Sequence, residues 1–134
     1  MIAIEASSEV GGVDVAPLTA LAERVCAELG ITHAELGIMV VTEDRMAGIN
    51  GEHRAKPTPT DVLSFPVDGP EVLAGWPDDG PPAELGDIVI CPAAAEDPLG
   101  TLVIHGLLHL VGYDHEVDDG EMLALQDELV DRLS

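Results

Sequence analysis

Basic side chains are scarce in this sequence. Its 134 residues include five, Arg24, Arg45, Arg54, Lys56 and Arg132, against 26 acids, for a formal charge of −21. That balance keeps the chain soluble and argues against general attraction to nucleic acid or to an anionic membrane. Two of the five, Arg54 and Lys56, share one short polar stretch, so an anionic substrate has to be met there or by a bound metal. Aromatics are equally thin at 2%, which leaves core packing to Ala, Val, Leu and Ile. The two cysteines, Cys26 and Cys91, form no Cys-x-x-Cys pair and read as free buried thiols of a reducing cytoplasm. No apolar run is long and uninterrupted enough to span a bilayer. Met1 to Val10 lacks the basic start and apolar segment of a signal peptide. A cytoplasmic protein with no membrane partner is expected.

What is present is concentrated in His105-Gly106-Leu107-Leu108-His109-Leu110-Val111-Gly112-Tyr113-Asp114-His115. Two histidines four apart share one face of an α-helix. Gly112 is the natural stop for that helix, after which the chain can turn and present His115 to the first two. Three converging imidazoles make a catalytic-type zinc site with an open fourth position. Leu99 to Val111 is apolar on nearly every side, so the helix is expected to be buried all round. Buried ring nitrogens need partners, and one metal ion per chain would satisfy them. The alternative is three histidines used separately, as caps or in core hydrogen bonds; the shared spacing makes that the weaker reading. The same spacing is that of the metzincin peptidases, His-Glu-x-x-His-x-x-Gly-x-x-His. Those enzymes place a glutamate directly after the first histidine as general base. Here Gly106 stands there and cannot move a proton, which argues against a peptidase.

The rest of the chain frames this helix. Ile2 and Ile4 suggest an edge strand over residues 1–5. Asp14–Gly30 reads as a helix with Pro17 in its first turn and an apolar stripe of Leu18, Leu21, Val25 and Leu29. Leu36–Val41 is a strand; Thr42 caps a helix that runs to about His53, with Glu43 and Asp44 in its first turn. Two prolines make Ala55–Thr60 a loop. Asp61–Val67 and Leu85–Cys91 are strands, with Pro66 tolerable in the first only at an edge or near its end. Between them Asp68–Ala83 is the longest loop, with Trp76 as a local packing anchor. Asp118–Leu133 is the last helix, with its stripe on Met122, Leu125, Leu129 and Leu133. Interspersed strands and helices predict a single α+β domain over residues 1–134, a small mixed sheet of about four strands with the histidine helix buried at its centre. Strand order cannot be read.

Three further segments carry a resemblance: Ile49-Asn50-Gly51-Glu52-His53-Arg54, Thr60-Asp61-Val62-Leu63-Ser64-Phe65-Pro66 and Gly86-Asp87-Ile88-Val89-Ile90. Together with His105–His115, in that order and spacing, they resemble the YbeY family of bacterial rRNA maturation factors over most of residues 36–133. The resemblance implies a single-strand-specific, metal-dependent endoribonuclease acting in 16S rRNA 3′-end maturation and ribosome quality control. It implies His105, His109 and His115 as metal ligands and Arg54 as the functionally important arginine. Its partners would be single-stranded rRNA and the small ribosomal subunit with its proteins. One departure stands out: Pro92–Gly100 is shorter than the matching family segment by about ten residues, almost three helical turns.

As chemistry, three neutral imidazoles leave the charge of a zinc ion undiminished, and its water becomes unusually acidic. Arg54 offers a planar fork to a phosphate gaining negative charge; its bland alternative is a surface ion pair with an acid such as Glu52. Lys56 is a weaker candidate. Asp114 is read as a ligand-orienting or helix-end residue and Asp61 as a turn residue. His33 and His53 are read as ordinary surface or boundary residues. Two rival readings remain, a zinc peptidase of metzincin type and a non-catalytic zinc-containing ribosome assembly factor; the shortened segment and the acidity favour the second of these.

Overall fold

The computed structural model describes residues 2–55, 58–73, 75–114 and 118–133. Four strands, β1 (Ile2–Ser8), β2 (Ala34–Val40), β3 (Val62–Pro66) and β4 (Ala83–Ile90), form one mixed sheet in the order β1-β2-β4-β3. The pairs β1–β2 and β2–β4 are parallel, and β3 runs antiparallel to β4. The expected α+β architecture with four strands is therefore present, and the N-terminal strand read as an edge is one; β3 is the other edge. Pro66 closes β3, where its missing N–H interrupts no ladder.

Alternation sorts the sheet residues. In β2, Ala34, Leu36, Ile38 and Val40 are buried while Glu35 and Met39 are exposed. The buried set joins Leu85, Ile88 and Ile90 of β4 in the main core, against helices α1 (Ala16–Glu28), α3 (Leu99–Leu110) and α4 (Glu121–Leu133). A smaller cluster of Val41, Leu63, Val89 and Cys91 packs on Met46 of helix α2 (Glu43–Arg54). These are the residues that alternate to the opposite face. Met46 is buried in this cluster and Ile49 packs against it.

The helix ends follow local chemistry. Thr42 Oγ1 accepts from the Arg45 N–H at 3.3 Å, the cap expected of it. Pro17 lies in the first turn of α1 and Gly30, at φ 77°, follows its last turn. Trp76 is an anchor, its Nε1–H donating to Pro81 O at 3.0 Å within the loop. The loop from 67 to 82 is less irregular than it reads, since Gly69–Val72 forms a short 3-10 turn whose Val72 enters the core. Pro92–Ala94 is a second 3-10 turn, within the short connection over residues 91–98 that leads from β4 to α3. Both cysteines are free and buried. Among the described residues no helix is long and apolar enough to cross a membrane.

Candidate active site

Helix α3 lies across the sheet close enough to exclude a side chain. A Cβ on Gly106 would come 2.8 Å from Ile88 Cγ2 and 3.1 Å from Ser64 Oγ. Ser64 Oγ–H donates to the Gly106 carbonyl at 3.1 Å, tying edge strand β3 to the helix. The position at which a metzincin carries its glutamate is thus filled by the sheet itself. Gly106 is a packing requirement, and the protein cannot use that position for proton transfer.

The helix is not buried all round as its apolarity suggested. Leu102, Val103, Ile104, Leu107, Leu108 and Leu110 are buried, but His105 and His109 are half-exposed. The reason is their i, i+4 spacing, which gathers the two polar rings on the one flank where α3 meets a cleft instead of core. Their centroids lie 4.7 Å apart with the planes at 75°. His105 Nδ1 also lies 2.6 Å from Gln126 Oε1 of α4.

The bend after α3 is held tightly. Gly112 N–H donates to His109 O and Tyr113 N–H to Leu108 O, at 3.1 and 3.0 Å, the paired bonds of a Schellman ending. Gly112 has φ 104°, and a Cβ there would come 2.7 Å from Pro70 Cγ. The helix therefore ends at Gly112, as its sequence position implied. His115, the third histidine of the motif, lies outside the described residues.

The cleft beside the two histidines has a volume of about 810 Å³. One wall is residues 60–66 along edge strand β3; His105, His109, Gly112 and Asp114 line the other, with His53 between. Asp61 Oδ1 accepts from the next residue's N–H at 2.8 Å, so it serves a turn at the strand start, as read. His33 is a loop residue, with Nε2 2.8 Å from Gly80 O. His53 is exposed, as expected of a surface or boundary residue, but it also serves the cleft. It lines the cleft and meets Phe65 edge-on at 4.9 Å. No local pattern signals this, because the contact depends on how the end of α2 returns to β3. Arg54 ends α2 beside it, and Ala55 follows at φ 55° as a left-handed cap. The Arg54 side chain and Lys56 lie outside what the structure describes.

Two imidazoles one turn apart on the same helix flank are a donor pair suited to a borderline metal such as zinc. Among the described residues no three His, Cys, Asp or Glu side chains are placed to hold one; a three-ligand site needs His115. The donors present fit a metal, and the fit rests on His105 and His109.

A Thermotoga maritima protein of known solution structure has the same fold, with a TM-score of 0.64 at 28% identity, covering 99% of this chain and 89% of that one. The family model described as Endoribonuclease YbeY matches residues 4–134. Endoribonuclease YbeY of Acidothermus cellulolyticus is 42% identical over 147 aligned positions, covering 95% of this chain and 88% of the relative. The Salinispora tropica protein of the same name is 38% identical, covering 96% and 94%. The chain belongs to the YbeY family, whose members bear the name of an RNA-cleaving hydrolase.

Proposed function

We propose that the protein is a metal-dependent endoribonuclease that cuts single-stranded rRNA, acting in the cytoplasm on the small ribosomal subunit in 16S 3′-end maturation and ribosome quality control. The observation that carries this reading is the histidine pair of α3 set in a large cleft, within a chain that matches the endoribonuclease family almost end to end. His105, His109 and His115 would hold one zinc ion. When bound, the ion supplies Lewis acidity toward a phosphoryl oxygen and makes water nucleophilic near neutral pH. Arg54, at the end of α2, pairs with the non-bridging phosphate oxygens and favours the extra negative charge of the transition state. Gly106 moves no proton, so proton transfer falls to solvent or to another cleft group. Asp114 lies on the rim near the ligands. The substrate is single-stranded because a chain with five basic residues cannot track a duplex backbone, whereas one cation and one arginine can seize an exposed phosphate.

The test is cleavage of matched single- and double-stranded RNA, with and without chelator, by the protein and by His109→Ala and Arg54→Ala. Loss of cutting on chelation and in both variants is expected, with the duplex left intact. Cutting that persists in His109→Ala under chelator would overturn the metal assignment.

A second reading, a zinc-containing assembly factor without catalysis, is favoured by one observation. The alignment to the Acidothermus relative spans 147 positions against the 134 residues of this chain, so the relative has segments that this chain lacks. Cells in which Arg54→Ala and His109→Ala both restore normal rRNA 3′ ends would select that reading.

A further inference from the structure

Helix α4 brings one amide against the histidine flank. Gln126 follows Met122 by four residues and precedes Leu129 by three, so the three share a face. Met122 and Leu129 are 0% and 1% exposed, which fixes the rotation of α4 about its axis. Gln126 is therefore delivered to α3 by core packing, and its Oε1 reaches His105 Nδ1 at 2.6 Å in a half-buried contact. An amide oxygen only accepts, so the ring proton must sit on Nδ1. In a neutral imidazole the lone pair is then on Nε2, the nitrogen through which the ring can bind a cation.

We propose that Gln126 is a positioning residue for the metal site. It fixes His105 as the Nδ1–H tautomer and holds the ring in the orientation in which Nε2 serves as donor. The inference rests on the metal reading proposed above and adds a residue to it. The outer partner here is a neutral amide. It supplies orientation and tautomer but none of the added basicity that a carboxylate gives a ligand imidazole. Replacing it with a carboxylate of equal reach should therefore tighten the site, and an isosteric apolar group should loosen it.

Two measurements on the full chain test this. The first is ¹⁵N NMR of the metal-free protein above the pH range of imidazole titration. His105 should show the Nδ1–H tautomer, which Gln126→Leu should convert to a mixture. The second is zinc affinity by competition with a chromophoric chelator. Gln126→Leu is expected to weaken binding about 10–100-fold, the usual effect of losing an outer hydrogen-bond partner, while Gln126→Glu binds at least as tightly as the parent. A merely structural helix contact would change thermal stability in chelator but move neither the tautomer nor the affinity. If the parent binds zinc and Gln126→Leu binds it equally well, the positioning role falls alone. A parent that binds no zinc sinks the metal reading, and the positioning role with it.

Discussion

Gly106 shows how a single missing side chain can be dictated from outside its own helix. Alanine there gains about 1 kcal/mol of helix propensity. It loses more, about 1–3 kcal/mol, by forcing apart Ile88 and the Ser64 hydroxyl that already touch the helix. Gly106→Ala should therefore unfold at lower denaturant concentration than the parent, by a net loss of up to about 2 kcal/mol. Gly106→Glu, which restores the peptidase motif on paper, should fail to fold stably and cut no peptide; soluble, folded protein with that glutamate would contradict the packing described. Cys26 makes a different point. It is 0% exposed, and burial, assisted by the nearby Glu23 charge, pushes its thiol from 9.0 up to about 12. A raised folded-state pKa contributes stability that is complete below 9.0 and lost as pH climbs toward 12. Native protein should resist thiol alkylation at pH 8, and Cys26→Ala should flatten the decline of stability above pH 9; rapid native labelling would show that the core opens. The i, i+4 pair His105 and His109 was legible because helix periodicity is local. His53 and Gln126 were not, because one depends on the return of α2 to β3 and the other on the axial rotation of α4.

At the scale of elements, the ends of helices were read more securely than their surroundings. Thr42, Pro17 and Gly112 announce themselves through hydrogen-bonding capacity or φ preference, and each does the work its type implies. The burial of α3 was overestimated because apolar content says nothing about which flank faces a cleft. Its ending invites a test. Gly112→Ala places a Cβ at φ 104° and against Pro70, so a loss of about 1–2 kcal/mol is expected, read as a fall of several degrees in melting temperature. Ala55 offers the converse. It sits at φ 55° after α2, the one non-glycine residue with positive φ among those described, and Ala55→Gly should raise stability by up to about 1 kcal/mol. Equal or lower stability would mean that the left-handed cap is not held in solution.

For the whole molecule the charge decides the manner of RNA binding. Arg45 and Arg132 are already engaged with acids of the chain itself, Glu9 in one case and Glu28 and Glu128 in the other. Few cations remain to displace counterions from RNA. With Arg24, Arg54 and Lys56 left, the log–log slope of affinity against salt should be no steeper than about −2, while a protein neutralising six phosphates of a single strand would show about −4. A slope of the steeper kind, measured with a single-stranded oligonucleotide and His109→Ala, the variant expected not to cut, would mean that the chain offers RNA a basic surface. The fold class, the count of strands and the N-terminal edge were legible, since alternation and turn residues are properties of short windows. The strand order was not, because nothing local records which neighbour a strand will choose. The contact between Pro70 and Gly112 has a consequence at this scale. Pro70 belongs to the long connection between β3 and β4 and is not among the residues that line the cleft, yet it braces the bend at Gly112 that ends the histidine helix. If the proposed metal site is right, shortening or softening that connection should weaken zinc binding without altering a single donor, so tolerance to change in the loop would be bounded by a site it does not line.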